Sequence, residues 1–369
     1  MGSRHALARL GRCRSAQPAL RCHCVTCHSC HELLLSRRPA MASRHHAWPN
    51  SSMLHRSSHS NAERFMTSVS LVIPSYGRAH DLDAALDSAL NQDHPFNEII
   101  VVARNSDLET IAIARSRAVI VAIVDEPGVL AAMVAGSKLA TSEVIAFTDD
   151  DARLPADHAS RLRAHFDSPA ISGVGGRDVL YDGDVPRTTT LTHTVGQVRW
   201  YGRVVGNHHR GEGAVRSVFM LKGVNAAYRR SALAFPVGLR GQGAQPHFEV
   251  ALGAWIARHH GTLLYDPSLQ VSHHPAIRLG DDQRTSPSNA AILDSAYNLA
   301  RSLPRRYLTR RLIYVLLLGD TNCPGIGRSL VALVRGEQSV LARRRSSWRG
   351  TVMAWADRGE PLRFERCSA

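Results

Sequence analysis

Lysine is almost missing from this chain. Lys138 and Lys222 are the only two among 45 basic residues, and the others are arginine. GC-rich coding produces that imbalance whatever the function, so the net charge of +14 is weak grounds for a nucleic-acid partner. Aromatic residues are sparse at 6%, and no aromatic–basic module of the nucleic-acid-binding kinds is present, which excludes that class. The charge is also uneven. Residues 1–65 carry ten arginines against Glu32 and Glu63, which leaves a surplus of only six over the rest of the chain. Long apolar runs are absent as well. The best, Leu312 to Leu318, falls far short of the ~18 residues of a spanning helix, so a multi-spanning membrane protein is excluded. After residue 65 the only cysteines are Cys323 and Cys367, too few for a secreted disulfide scaffold.

What is present is ordinary globular material. A hydrophobic fraction of 44% over 369 residues can bury the core of one large α/β domain with an appendage, or of two modest domains. The leader is different. Cys22 to His31 contains C-x-x-C-H twice, overlapping, which is chemically suited to haem attachment or zinc. No secretory segment precedes it, the two motifs share ligands, and no periodicity surrounds them. The expectation is a disordered basic leader over 1–65, consistent with an over-extended gene start.

From Ser68 the pattern is regular. Val69–Ile73, Glu98–Val102, Ala118–Val124 and Val144–Thr148 read as strands, with helices over Asp81–Leu90 and Val129–Ala140. Almost wholly apolar strands alternating with helices predict an α/β domain with a mostly parallel central sheet covered on both faces. Ala156–Phe166 reads as a helix and Ile171–Gly175 as a strand. A long polar segment, 181–213, follows. Val218–Leu221, Leu263–Tyr265 and Leu269–Val271 read as extended, and Glu249–His260, Ala290–Leu303 and Tyr307–Leu318 as helical. The end, 343–369, is arginine-rich and poorly patterned.

Asp149-Asp150-Asp151 directly after a buried strand is the most informative cluster. Three carboxylates at a strand end repel one another unless a cation or solvent neutralises them. In extended chain, Asp149 and Asp151 face one pocket while Asp150 faces elsewhere. Hard oxygen ligands suit Mg²⁺ or Mn²⁺, and a helix N-cap would need only one aspartate. His208-His209 and His273-His274 suggest zinc, but neighbouring histidines on a strand point apart, so a shared site is not expected.

These residues carry a resemblance. Val69 to Arg78 resembles the opening strand of family 2 glycosyltransferases, and Ser88, Leu90 and Gln92 resemble the helix end that follows it. Phe147 to Asp151 resembles the family's D-x-D metal motif. Gly223-Val224-Asn225 with Arg229-Arg230 resembles its acceptor-side segment, and Tyr265-Asp266-Pro267 with His273 its last strand and metal-proximal histidine. The likeness spans roughly residues 68–275 and implies a GT-A domain over 66–280. A C-terminal helical extension with a basic tail, 281–369, would follow.

The implied activity is inverting transfer of a sugar, of the hexosyl kind, from a nucleotide-diphosphate donor to an acceptor hydroxyl. Envelope or capsule polysaccharide, a lipid-linked glycan or a small glycoside would be the acceptor. The setting would be cytoplasmic, with peripheral contact at the inner membrane face through the arginine-flanked Leu312–Leu318. Mg²⁺ or Mn²⁺ would sit on Asp149, Asp151 and His273. Pro74, Ser75 and Tyr76 would cradle the base, Arg78 would reach the diphosphate, and Asp149 and Asp150 would lie against the donor. Gly223 and Asn225 would lie on the acceptor side.

Three departures stand out. The acidic turn after the second strand is replaced by Ala103-Arg104-Asn105-Ser106, with Asp107 one place along. Val134 stands where an asparagine is common. The segment expected to supply the catalytic base reads Gln245 to Val250, without the usual acidic pair, leaving Glu249 with His247 as competitor. A nucleotidyltransferase on a related sheet, or a nucleotide-sugar-binding protein without catalysis, are the alternatives.

Overall fold

The computed structural model describes residues 67–241, 243, 245–259, 261–276 and 287–367. The leader and its cysteine cluster lie outside the described residues. The first half alternates as the apolar runs predict: β1 (Val69–Ser75), α1 (Ala79–Leu90), β2 (Glu98–Arg104), α2 (Leu108–Ser116), β3 (Ile120–Val124), α3 (Val129–Leu139) and β4 (Val144–Thr148). β1 pairs in parallel with both β2 and β4, and β2 with β3. Because successive side chains point to opposite faces, these strands feed two cores. Leu71, Ile73, Val101 and Ala146 pack with Leu82 and Leu86 of α1. Val72, Val102, Ile145 and Phe147 pack with Leu130 and Met133 of α3. Gly136 allows α3 to lie close, since a Cβ there would fall 2.4 Å from Val72 Cγ1.

The second half completes the sheet. A short β5 (Ala152–Arg153) and α4 (His158–His165) lead to the long β6 (Ile171–Asp182), whose end pairs with β7 (Val185–Pro186). The polar segment is irregular apart from the small ribbon of β8 (Gln197–Val198) and β9 (Val204–Val205). His208 and His209 lie in a 3₁₀ turn and not on a strand, which corrects the premise on which they were set apart. Then come β10 (Arg216–Val218), β11 (Asn225–Arg229), β12 (Ala234–Val237), α5 (Phe248–His259) and β13 (Thr262–His273). The strand order is β10-β13-β6-β11-β4-β1-β2-β3, with β11 antiparallel to both neighbours and β13 parallel to β6. The two extended pieces read at 263–271 are one strand, broken in register between Asp266 and Gln270. Asp266 closes that irregularity by accepting from the Ser268 amide at 2.8 Å.

Four helices follow: α6 (Asn289–Ser302), α7 (Arg305–Leu317), α8 (Ile326–Val334) and α9 (Gln338–Ala356). The last of these, 19 residues long, occupies the stretch read as unpatterned. Its buried face consists of Ser346, Ser347, Gly350, Thr351 and Ala354, small residues that give no apolar periodicity but let α6 approach. A Cβ on Gly350 would lie 2.2 Å from the Leu293 carbonyl oxygen of α6. The chain ends in β14 (Arg363–Arg366), antiparallel to β12. Among the described residues no helix is long and apolar enough to cross a membrane.

Candidate functional site

The aspartate run leaves β4 in a turn, not in extended chain. The Ala152 amide donates to the Asp149 carbonyl at 3.2 Å. β5 then pairs with the end of β13, setting Ala152 opposite His273, and the His274 amide donates to the Asp151 carbonyl at 2.8 Å. That turn, rather than strand alternation, brings Asp149 and Asp151 together. One ligand atom from each of Asp149, Asp151 and His273 lies within 4.8 Å of the others.

Asp150 goes the other way, by the same turn and not by strand alternation. It is buried, accepts from Ser75 Oγ at 2.8 Å and is paired with Arg78 Nη1 at 2.6 Å. Burial pushes its pKa up to about 7 against the pull of Arg78. Arg78 also reaches Asp151 at 3.5 Å, so here its guanidinium braces the aspartate turn.

His273 is buried between two acids. Nε2 faces Asp151 Oδ1 at 3.3 Å, and Nδ1 meets Asp178 Oδ2 at 3.3 Å. Asp178 is fully buried on β6 and ion-paired with Lys222. Burial alone would lower the His273 pKa, but the two carboxylates raise it. Asp178 runs the opposite way: burial would raise it, yet His273 and Lys222 hold it down at about 2. Asp151 also lies below the usual carboxylate range, because His273, the Ala276 amide and Arg78 outweigh burial. Asp149 is pushed up by burial and by the charge of Asp151.

The cluster's buried atoms without a hydrogen bond among the described residues, which also include Asp178 Oδ1 and Arg78 Nε, comprise Asp151 Oδ1 and His273 Nε2, 3.3 Å apart. They face each other across the point that Asp149 also approaches. Orphaned buried acceptors converging with an imidazole fit a divalent cation, and the mixed oxygen–nitrogen donor set suits Mn²⁺ better than Mg²⁺.

The remaining residues singled out from the sequence are spread around this cluster. Pro74 and Ser75 end β1, and Tyr76 is exposed beside them with the Arg104 guanidinium 5.0 Å from its ring centre. Asp107 caps α2, accepting from the Thr110 amide, and also accepts from the Gly77 amide at 2.5 Å. It therefore ties the loop after β1 to the end of β2. Asn225 is buried and donates to the Leu269 carbonyl at 2.8 Å, which is a sheet contact. Gly223 packs against Phe248, its virtual Cβ 3.6 Å from the ring.

Glu249, in the first turn of α5, and His247 both line a cavity of about 750 Å³. The wall also includes Lys222, residues of α6 and the loop Asp320–Cys323. His247 has φ 74° and its Nε2 lies 3.1 Å from Ser295 Oγ. Desolvation pushes its pKa down to about 4.

Residues 70–234 match the family model described as Glycosyl transferase family 2. Over this segment the chain is similar to the family 2 glycosyltransferases. Asp149, Asp151 and Asp178 lie inside the matched glycosyltransferase segment, whereas Glu249 and His273 lie beyond it. A comparison with curated proteins gave no match.

Among solved structures the chain is similar to the mannosyltransferase PcManGT from Pyrobaculum calidifontis, in complex with GDP-Man and Mn²⁺. That likeness has 17% identity and a TM-score of 0.47 over 79% of this chain and 87% of that one. It is also similar to GalNAc-T7 with UDP, GalNAc and Mn²⁺, at 14% identity and a TM-score of 0.52, covering 75% of this chain and 58% of that one. The second likeness agrees with a GT-A fold.

Sequence reasoning missed Asp178 and Lys222. Lys222 had a signal, as one of just two lysines in the chain, whereas Asp178 follows Arg177 on a strand that also carries Ser172 and Asp182 and so did not stand out.

Proposed function

We propose that the protein transfers a sugar from a nucleotide-diphosphate donor to an acceptor hydroxyl, with inversion, and that a divalent cation, Mn²⁺ or Mg²⁺, is held by Asp149, Asp151 and His273. The observation that carries this reading is the convergence of Asp151 Oδ1 and His273 Nε2, which face only each other, with Asp149 at the end of β4. When bound, the cation supplies a positive charge against the leaving diphosphate. GalNAc-T7, which shares the fold, was solved with UDP and Mn²⁺, in keeping with that chemistry.

The protein's own groups do the rest. Pro74, Ser75 and Tyr76 offer a turn and an exposed ring for the donor's base. Asp107 anchors that turn through Gly77. Arg78 holds Asp150 and Asp151 in position and adds positive charge on the diphosphate side. Lys222 joins the acid cluster to the 750 Å³ cavity, because it pairs with Asp178 and also lines the cavity wall. The acceptor is assigned to that cavity. Glu249 is assigned as the base that takes the acceptor's proton, since His247 is engaged with Ser295 and is desolvated.

The test is a panel of nucleotide sugars offered with Mn²⁺, with Mg²⁺ and with a chelator, reading nucleoside diphosphate release and thermal shift. Metal-dependent binding of at least one donor is expected, and it should be lost in Asp151→Ala. If no nucleotide sugar binds with either metal present, the reading fails.

A further inference from the structure

The C-terminal helices carry an exposed apolar surface that the transfer reaction does not use. On α8, Ser329 and Ala332 turn inward toward α9. The rest of the helix is almost wholly apolar and exposed: Ile326, Leu330, Val331, Leu333 and Val334, the last 89% accessible. The end of α7 adds Ile313, Leu317 and Leu318. The two sets abut, since a Cβ on Gly325 would lie within 2.7 Å of the Leu317 carbonyl oxygen and of backbone atoms of Leu318. Trp200, 71% exposed, joins the same side, with its carbonyl 3.3 Å from Arg310 Nη1. A contiguous apolar surface of this kind is rare on a protein that meets only water.

The rim is basic. Arg306 and Arg310 of α7 are exposed, as are Arg328 and Arg335 at the two ends of α8. The one acid between residues 305 and 335 is Asp320, whose carboxylate is turned back onto the Asn322 and Cys323 amides. Glu337 lies just beyond, 3.9 Å from Arg335.

We propose that α7 and α8 dock this face onto an anionic phospholipid bilayer. The apolar side chains enter the acyl boundary and the arginines meet lipid phosphates. Trp200 sits at headgroup level, where its amphipathic ring is favoured. A second copy of the chain fits the surface less well, because a two-fold contact would set this arginine rim against its own duplicate. No described helix can span, so the attachment lies on one leaflet. The inference goes beyond the glycosyl-transfer reading and needs no turnover. Its consequence for that reading is positional: the loop Asp320–Cys323 between α7 and α8 also lines the cavity holding Glu249, so docking brings the cavity rim next to the lipid surface.

The experiment is flotation of the full chain with vesicles of phosphatidylcholine alone and of phosphatidylcholine mixed with phosphatidylglycerol. The parent should float with the mixed vesicles only, and less as salt rises. Leu330→Glu/Val334→Glu should reduce the bound fraction about tenfold or more with the melting temperature unchanged, as expected from the apolar surface withdrawn. Arg306→Gln/Arg310→Gln, at exposed positions, should weaken binding to mixed vesicles and flatten the salt dependence.

Equal flotation of parent and both variants would overturn the proposal, since another part of the chain would then be the anchor. So would a parent that does not float. A parent that elutes as a dimer, is made monomeric by Leu330→Glu/Val334→Glu and does not float would assign the face to a second copy instead.

Discussion

Asp178 stands 3.3 Å from Nδ1 of His273, on the side of the ring away from Asp151. β6 and β13 are parallel neighbours in which Asp178 lies opposite Val271 and Leu180 opposite His273, so Asp178 and His273 share one face diagonally. A carboxylate on the far nitrogen fixes the imidazole's tautomer and aims Nε2 at the acid cluster, the arrangement that tunes metal-ligating histidines. Lys222 holds Asp178 in turn.

Asp178→Asn should therefore weaken Mn²⁺ binding by about 10–100-fold without removing a ligand. Titrating Mn²⁺ in the presence of a bound nucleoside diphosphate measures this. Affinity equal to the parent's would show that Asp178 does not orient His273.

Neighbouring aspartates should separate by role. Asp151→Ala should remove detectable metal-dependent turnover and, in the absence of metal, also lower the melting temperature, because the Ala276 amide loses its acceptor and His273 and Arg78 lose a neighbouring charge. Asp150→Ala should instead leave the metal-facing groups in place and cost about 1–3 kcal/mol of stability, because the buried Ser75 Oγ loses its acceptor while the partly exposed Arg78 keeps Asp151. Denaturant unfolding of the two variants side by side, with donor turnover, distinguishes them.

Glu249→Gln should lower kcat by about 10²–10⁴ while leaving donor affinity unchanged, the pattern of a lost general base. His247→Ala should act mainly on stability, since its ring contacts Ser295. If His247→Ala removes turnover and Glu249→Gln does not, the base is His247.

Acid should unfold the protein through histidines that are buried in their neutral form. His158 and His208 are buried, and desolvation pushes both pKa values down to about 4. The unfolded chain protonates them near pH ~6.5, so it binds more protons than the native state between there and about 4. Stability is complete above the unfolded value and is lost as pH falls, at up to about 1.4 kcal/mol per pH unit for each histidine. Urea melts across that window should show the midpoint falling with pH. His208→Gln, which can still donate to the Met220 carbonyl that His208 Nε2 meets at 3.0 Å, should flatten the slope.

Much of the sheet was legible because β1, β2 and β4 are apolar through most of their length, a pattern that burial on both faces explains. The Asp149–Asp151 run was legible for the opposite reason: adjacent like charges beside a buried strand need a compensating partner. α9 was not legible, because its packing face is made of serine, glycine, threonine and alanine, whose contribution is close approach and not hydrophobic periodicity. α8 escaped for the converse reason, being apolar on its solvent side as well.

The sequence by itself determined the strand–helix alternation and the position of the aspartates at the end of β4, and its family resemblance pointed to His273 as their distant companion. Only the tertiary structure decided that Asp178, 95 residues from His273 in the chain, meets its other nitrogen, and that Asp150 turns to Arg78. It also decided that α7 and α8 leave an apolar face bare. Local pattern specifies which residues are buried, but which buried groups meet depends on register between strands far apart in sequence, and that is settled when the sheet assembles.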